Sequence, residues 1–180
     1  FPIPYDPPFV PDNTPVGFYK RTFMLPKAFE GRRTVLRFDG VSSCYYAFVN
    51  GQYVGFAKTP HLCSEFDVSR FVQEGENEIC VLVFQWSDGT YLEDQDMYRY
   101  SGIFREVYLL RRDKVRVNDV FARYDLSEDF SCADVRVELN TNAALDAEIK
   151  VVSKCGCELL KANAQVNGVE TVELGAIENP

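Results

Sequence analysis

The 180-residue chain has a single histidine, a single tryptophan and only two methionines. With His61 alone, a histidine-rich metal cluster is excluded. No Ser or Cys nucleophile pattern accompanies it, so the Pro60-His61-Leu62 loop reads as a surface or interface segment and not as the seat of a general base. Positive charge is scarce too. There are 19 Lys+Arg against 27 Asp+Glu and a net charge of -8, and without a Lys/Arg run this excludes a phosphate-backbone partner. Long apolar runs are missing: none exceeds the six residues of Ile79 to Phe84, far short of the roughly 20 residues of a membrane helix, so no membrane partner is expected. The opening Phe-Pro-Ile-Pro carries no initiator Met, charged n-region or apolar h-region, and the chain is expected to be a piece of something longer.

What is present is a chain able to bury a core, 46% hydrophobic and 14% aromatic, which excludes disorder. Six cysteines (Cys44, Cys63, Cys80, Cys132, Cys155, Cys157) show no disulfide-framework spacing, so free thiols in a reducing cytoplasm are expected, with a periplasmic or secreted location as the alternative. Cys155-Gly156-Cys157 offers half a zinc site, but a second pair is lacking and His61 is distant in sequence.

Aromatic residues divide the chain: 22 of the 25 lie in residues 1–112. Charge divides it as well, with 12 basic and 14 acidic residues before the Arg111-Arg112-Asp113-Lys114 hinge region and 7 and 13 in the remainder. Two domains are therefore expected, 1–112 and 113–180. The first 15 residues hold six prolines and read as an extended arm. Strands are predicted over Gly17 to Leu25, Thr34 to Phe38, Tyr45 to Val49, Gln52 to Ala57, Ile79 to Gln85 and Ile103 to Leu110. Asn50-Gly51 signals a type I′ hairpin, because both residues tolerate positive φ. Asp67 to Gly75, with Val68, Phe71 and Val72 at near-helical spacing, predicts a one- or two-turn helix between an N-cap and a C′ glycine, and Glu65 and Asp67 fit its capping. Beyond the hinge, Val115 to Tyr124, Val135 to Leu139, Ala147 to Ser153, Leu159 to Val166 and Thr171 to Leu174 read as short alternating strands. The chain is predicted to be all-β, two sandwiches in series, the second smaller than an immunoglobulin-like domain of about 100 residues and expected to be cut short.

The chemistry concentrates in Trp86 to Arg105, which holds four acids, two arginines and four Tyr or Trp rings. Aromatic faces stack on the C–H faces of sugars while carboxylates and guanidinium groups take hydroxyls, so the segment suits a carbohydrate; an internally bonded plug, its acids paired with Arg99 and Arg105, is the competing reading. Retaining glycoside hydrolysis needs two carboxyls about 5 to 5.5 Å apart. Glu93, Asp94 and Asp96 are too numerous and too alike in sequence to assign that pair. A calcium loop is disfavoured, since Asp94-Gln95-Asp96 lacks the later Gly and the bidentate Glu of an EF-hand.

Several stretches together carry a family resemblance: Pro7-Pro8-Phe9-Val10-Pro11, Gly17 to Phe23, Phe38-Asp39-Gly40-Val41, Asn50-Gly51 with Val54-Gly55, Ser64-Glu65-Phe66-Asp67, Gly75-Glu76-Asn77 and the whole Trp86 to Arg105 segment. In order, from about residue 7 to Leu110, they closely resemble the N-terminal region of the large bacterial β-galactosidases of glycoside hydrolase family two. Weaker similarity continues through Phe121, Asp129-Phe130 and Glu178-Asn179-Pro180. The resemblance implies a jelly-roll (galactose-binding-like) sugar-binding domain with its proline-rich arm over 1–112 and a partial immunoglobulin-like sandwich over 113–180. Both catalytic glutamates would then lie on a barrel absent from this chain, which would be non-catalytic alone and would supply scaffold and one edge of the site. By position the resemblance assigns Asp96 to the galactosyl 6-hydroxyl and to a sodium ion. No cofactor is expected for the piece itself, whereas sodium and magnesium are expected for the complete enzyme, whose substrates would be terminal β-D-galactosides of the lactose type, cleaved with retention. The family's galactose-contacting asparagine would precede the arm, and Tyr98 stands where the family usually has Trp. The complete enzyme would be a homo-oligomer, and the piece is expected to pair through exposed strand edges. Alternatives are an autonomous lectin-like module, a structural sandwich at an oligomer interface, or the same region of a β-glucuronidase or β-mannosidase; the loop around Asp94-Gln95-Asp96 favours β-galactosidase.

Overall fold

A computed structural model describes residues 5–93, 98 and 100–178. The chain is all-β and divides into two compact units between Arg112 and Asp113.

In the first unit the strands are β1 (Val16–Leu25), β2 (Arg33–Phe38), β3 (Val41–Ser42), β4 (Cys44–Val49), β5 (Gln52–Ala57), β6 (Ser64–Asp67), β7 (Gly75–Phe84), β8 (Gly102–Ile103) and β9 (Val107–Arg112). One antiparallel sheet runs β1-β7-β4-β5, a second β6-β2-β9, and β3 pairs with β8. Period-2 alternation explains the layering: along β4, Tyr45, Ala47 and Val49 turn inward while Tyr46 and Phe48 turn out. The inward set meets Leu36 and Phe38 of β2, Val81 and Val83 of β7 and the buried Val68, so the two sheets close on one interior as a sandwich. Phe38, 1% exposed, has its ring centroid 4.7 Å from that of Tyr45 and 6.1 Å from that of Phe66. The β4–β5 hairpin turns on Asn50 and Gly51 at φ 50° and 75°, as their sequence requires.

The one- or two-turn helix expected after Asp67 forms at its shorter length, while two other expectations, the capping role of Glu65 and the unbroken strand from Ile103, fail locally. The helix predicted from Asp67 is a single turn: Phe71 and Val72 N–H both reach the Val68 carbonyl, and the ladder stops there. Val68 itself donates to the Thr34 carbonyl, extending the β2–β6 pairing, so its amide serves the sheet and its buried side chain satisfies the apolar spacing within one turn. The stretch between this turn and β7 is fastened by side chains. The buried Asn77 amide accepts from Asn50 Nδ2 at 2.8 Å and Gln73 N at 2.9 Å, and donates to the carbonyls of Gln73 (2.7 Å) and Gly75 (3.0 Å), which uses its full hydrogen-bonding capacity. Asp67 does cap the turn through the Ser69 N–H, but Glu65 lies on β6 and pairs with Arg37 and Arg112 instead. The apolar run from Ile103 also proves to be two strands, because the Phe104 and Arg105 amides turn onto the Gly40 carbonyl between β8 and β9.

In the second unit the strands are β10 (Val117–Leu126), β11 (Cys132–Thr141), β12 (Leu145–Val152), β13 (Glu158–Val166) and β14 (Val169–Glu178), in sheets β10-β11-β14 and β12-β13. Val137 and Leu139 of β11 meet Val166 of β13 across the interior, with Ala147, Ile149, Ala164, Val172 and Leu174 around them.

Candidate functional site

At one end of the first sandwich the chain leaves β7 into the aromatic, acid-rich segment. Its first turn is a short 3-10 helix over Asp88–Tyr91, which the sequence builds from hydroxyls: Ser87 N–H donates to Thr90 Oγ1 at 3.0 Å and Thr90 N–H returns to the Ser87 carbonyl at 3.0 Å. The Ser43 hydroxyl, just after β3, hydrogen-bonds the Ser87 hydroxyl and lies 3.2 Å from Thr90 Oγ1. All three residues are buried, and the cluster locks this loop to the start of β4. Lys58 closes the other side with a 2.7 Å ion pair to Asp88, which holds that carboxylate below its ordinary range.

The arm is tied to the same turn. The Tyr91 hydroxyl reaches the carbonyls of Tyr5 (2.8 Å) and Phe9, Trp86 N–H donates to Thr14 Oγ1 at 3.1 Å, and Gln85 N–H donates to the Pro15 carbonyl. Proline supplies no amide and leaves carbonyls free to accept, which explains why the arm is held by its oxygens.

These segments enclose a cavity of about 190 Å³ whose wall includes Ser43, His61, Trp86, Glu93, Tyr100 and Phe104. His61 is exposed, its ring centroid 5.6 Å from that of Phe104, and Tyr98 and Tyr100 lie at 5.8 Å with rings tilted by 32°. Burial pushes the Glu93 carboxyl up, and the nearby His61 opposes that shift. Aromatic walls with hydroxyls, a carboxyl and an imidazole can take a polyhydroxylated ring by stacking and hydrogen bonding. The volume, however, falls below the roughly 300–1,000 Å³ of enclosing ligand pockets. A larger groove of about 610 Å³ lies along β1, lined by interior side chains such as Phe23, Leu36, Ile79 and Leu109. Lys20, Arg21 and Tyr108 also border it, but among the described residues its wall carries no carboxyl or imidazole, and it reads as the margin of the core.

Asp96, the residue that the family resemblance singles out, lies outside the described residues, as do Asp94, Gln95, Met97 and Arg99. Arg105, expected to pair with loop acids, has its guanidinium 5.5 Å from the centroid of the Phe104 ring. Among the described residues the cavity wall carries one carboxyl, Glu93, so no retaining pair is assembled there. No group of three or more metal-ligating side chains occurs among the described residues, and Cys155-Gly156-Cys157 is no part of one. The sequence places His61 at the surface; it is there, but on the cavity wall. The Ser43, Ser87 and Thr90 cluster is not apparent from the sequence, although Ser87-x-x-Thr90 beside Asp88-Gly89 is a turn signal.

Residues 1–113 match the sequence profile described as "Glycosyl hydrolases family 2, sugar binding domain". The chain is 40% identical over 184 residues to a β-galactosidase of Staphylococcus xylosus, a match covering 100% of this chain and 18% of that protein. It is 48% identical over 139 residues to a β-galactosidase of Actinobacillus pleuropneumoniae, covering 77% of this chain and 14% of that protein. The chain thus spans less than a fifth of the length of these relatives. Among solved structures, a putative β-galactosidase from Bacteroides fragilis superposes with a TM-score of 0.77 at 24% identity, over 93% of this chain and 28% of that one. A β-glucuronidase from Bacteroides uniformis superposes with a TM-score of 0.80 at 20% identity, over 93% and 22%. Likenesses at these identities speak for the fold.

Proposed function

Because the chain belongs to glycosyl hydrolase family 2 and carries that family's sugar-binding domain over residues 1–113, we propose that it is a non-catalytic part of a β-galactosidase. In this reading the whole protein cleaves terminal non-reducing β-D-galactosides with retention, through a carboxylate pair outside this chain. The present residues supply scaffold and one edge of the active site. The observation that carries the reading is the match to a β-galactosidase over the entire chain, second unit included, at 40% identity. The β-glucuronidase likeness, at 20%, supports only the shared fold.

Asp96 would accept a hydrogen bond from the galactosyl 6-hydroxyl, and its carboxylate is a hard oxygen donor suited to an alkali cation. The described residues do not by themselves compose a cation site, so sodium and magnesium would depend on ligands beyond them, and no step is routed through either ion. The aromatic wall of Trp86, Tyr98 and Tyr100 would shield the sugar from water on this side.

Two measurements test the proposal. The purified 180-residue chain is expected to show no turnover of a chromogenic β-galactoside; turnover that survives purification and disappears in Asp96→Asn would overturn it. Galactose titrated into the same chain is expected to give no saturable binding, whereas saturable binding to the chain alone would favour a self-sufficient lectin.

A further inference from the structure

The β12–β13 hairpin of the second unit ends in the turn Ser153–Cys157, which the sequence fastens tightly. Ser153 N–H donates to the Cys157 carbonyl at 2.9 Å, Gly156 N–H to the Ser153 carbonyl at 2.9 Å, and Cys157 N–H to Ser153 Oγ at 3.1 Å. Gly156 takes φ 87°, a conformation that costs a side-chain-bearing residue energy but leaves glycine free, and the chain doubles back within a few residues. The turn brings the two sulfurs to 3.4 Å from each other, with Ser153 Oγ 3.0 Å from Cys155 Sγ. Both cysteines are exposed.

The other cysteines lack this setting. Cys44 is buried, and burial raises its thiol pKa; the Cys80 thiol is raised for the same reason, Cys132 is half-buried, and Cys63 is exposed on a loop of the first unit with no second cysteine within ten residues. At the hairpin tip the shift is opposite. The Ser153 hydroxyl, then the Cys157 N–H and thiol, stabilise the Cys155 thiolate and lower its pKa to about 7. A nucleophilic sulfur with a pKa near ambient pH, open to solvent and touching a second thiol, is the arrangement that favours disulfide exchange followed by internal resolution.

We propose that Cys155 and Cys157 form a redox-active dithiol that exchanges with small-molecule disulfides. The Cys155 thiolate attacks one sulfur of R–S–S–R, forming a Cys155–S–S–R bond and releasing RS⁻, which takes a proton from solvent. Cys157 gives its proton to solvent and attacks the Cys155 sulfur, forming the Cys155–Cys157 bond and releasing the second RS⁻, which is protonated in turn. Two electrons and two protons thus pass from the protein to the disulfide, which leaves as two thiols. A bond between residues so close in sequence and at the surface belongs to the labile, reversible class of disulfides. Neither the family membership nor the proposed glycosidase role invokes this pair.

The experiment adds glutathione disulfide to the reduced full chain and follows the cysteine peptides by mass spectrometry. The 153–157 peptide is expected to lose about 2 Da with no adduct retained, and dithiothreitol is expected to restore it. Cys157→Ser should instead accumulate a glutathione adduct on Cys155. At pH 7 the attack should be roughly three- to fivefold faster than that of a cysteine in a short unstructured peptide, an unperturbed thiol of pKa about 8.5, since a larger thiolate fraction is partly offset by lower intrinsic nucleophilicity. Circular dichroism matching the parent chain shows that the variant is folded; should it fail to fold, the wild-type mass change and rate decide alone. A stable adduct on wild-type Cys155 or Cys157, or a pair that reacts no faster than that peptide cysteine, would overturn the proposal.

Discussion

The two units share an antiparallel architecture but differ in what fills them. The buried cluster of the first, which includes Phe38 and Tyr45, spans both sheets, and further aromatic and aliphatic side chains pack against it. The buried cluster of the second is Val137, Leu139 and Val166, surrounded by alanines and aliphatics. β10 is exposed at every position, including Phe121 and Tyr124 at 53% and 66%. The sequence already shows the imbalance, with three aromatics after residue 112 and 22 before it. Each large side chain fully buried contributes about 1.5–3 kcal/mol, so the number and size of interior residues set how firmly a sandwich closes. The polar loops of the first unit, with their buried Ser43, Ser87 and Thr90, are held on the firmer of the two scaffolds.

The largest effect is expected at Phe38. Phe38→Ala should destabilise the first unit by about 3–5 kcal/mol, while Val166→Ala should cost the second about 2 kcal/mol. Trp86, the single tryptophan, lies in the first unit and separates them optically. In urea, Phe38→Ala should shift the Trp86 fluorescence transition, and Val166→Ala should shift only the circular dichroism change. If Val166→Ala moved both signals together, the units would be one cooperative structure and the comparison would break. Hydrogen exchange sharpens it further: amides of 117–178 should exchange faster than those of β2, β4 and β7, and equal protection would contradict the account.

Next in size is Asn77→Ala, expected to cost the first unit about 2–4 kcal/mol, since Gln73 N–H and the Gln73 and Gly75 carbonyls lose their partner. Full recovery in Asn77→Asp would show that the donor half of the amide is idle.

Acid should act on the second unit. Hydrogen bonds from Ser127 and Ser131 hold Asp129 down to about 2 from an ordinary 3.8, and Lys150 and Lys161 hold Glu148 to about 2 from 4.5. The unfolded chain binds these protons more readily, so the stabilisation is complete above about pH 5 and is lost as pH falls toward 2. The circular dichroism transition of the second unit should move to lower urea between pH 5 and pH 2. Added salt should shrink the part due to Glu148, and a shift in the opposite direction would refute these pairings.

The smallest effect concerns the arm. Tyr91→Phe removes its ties to Tyr5 and Phe9 and should raise the rate of proteolysis before β1 by roughly two- to tenfold, with the Trp86 transition almost unmoved. An unchanged cleavage rate would mean that Thr14 and Pro15 hold the arm unaided.

The all-β class and the β4–β5 hairpin are legible in the sequence because alternation and the Asn50-Gly51 pair are local signals. The helix expected over Asp67 to Gly75 keeps to its one-turn form because its apolar spacing, 0, 3 and 4 from Val68, is already met within one turn. The Glu65 ion pairs with Arg37 and Arg112 depend on which strands become neighbours, which local pattern does not encode. Of the site, the Trp86 to Arg105 segment stands out by composition. Bringing His61 and Ser43 to it requires the fold, since each comes from a different loop.

The central functional claim is that this chain lends Asp96 to a galactosidase site, and it is tested by Asp96→Ala in the full-length protein that contains the chain. The account expects kcat/KM on a β-galactoside to fall by at least about ten- to a hundredfold, because a charged hydrogen bond that strengthens toward the transition state is lost. On the corresponding arabinoside, which lacks the 6-hydroxymethyl group, the fall should be far smaller. An equal loss on both substrates would contradict the claim that Asp96 reads that hydroxyl.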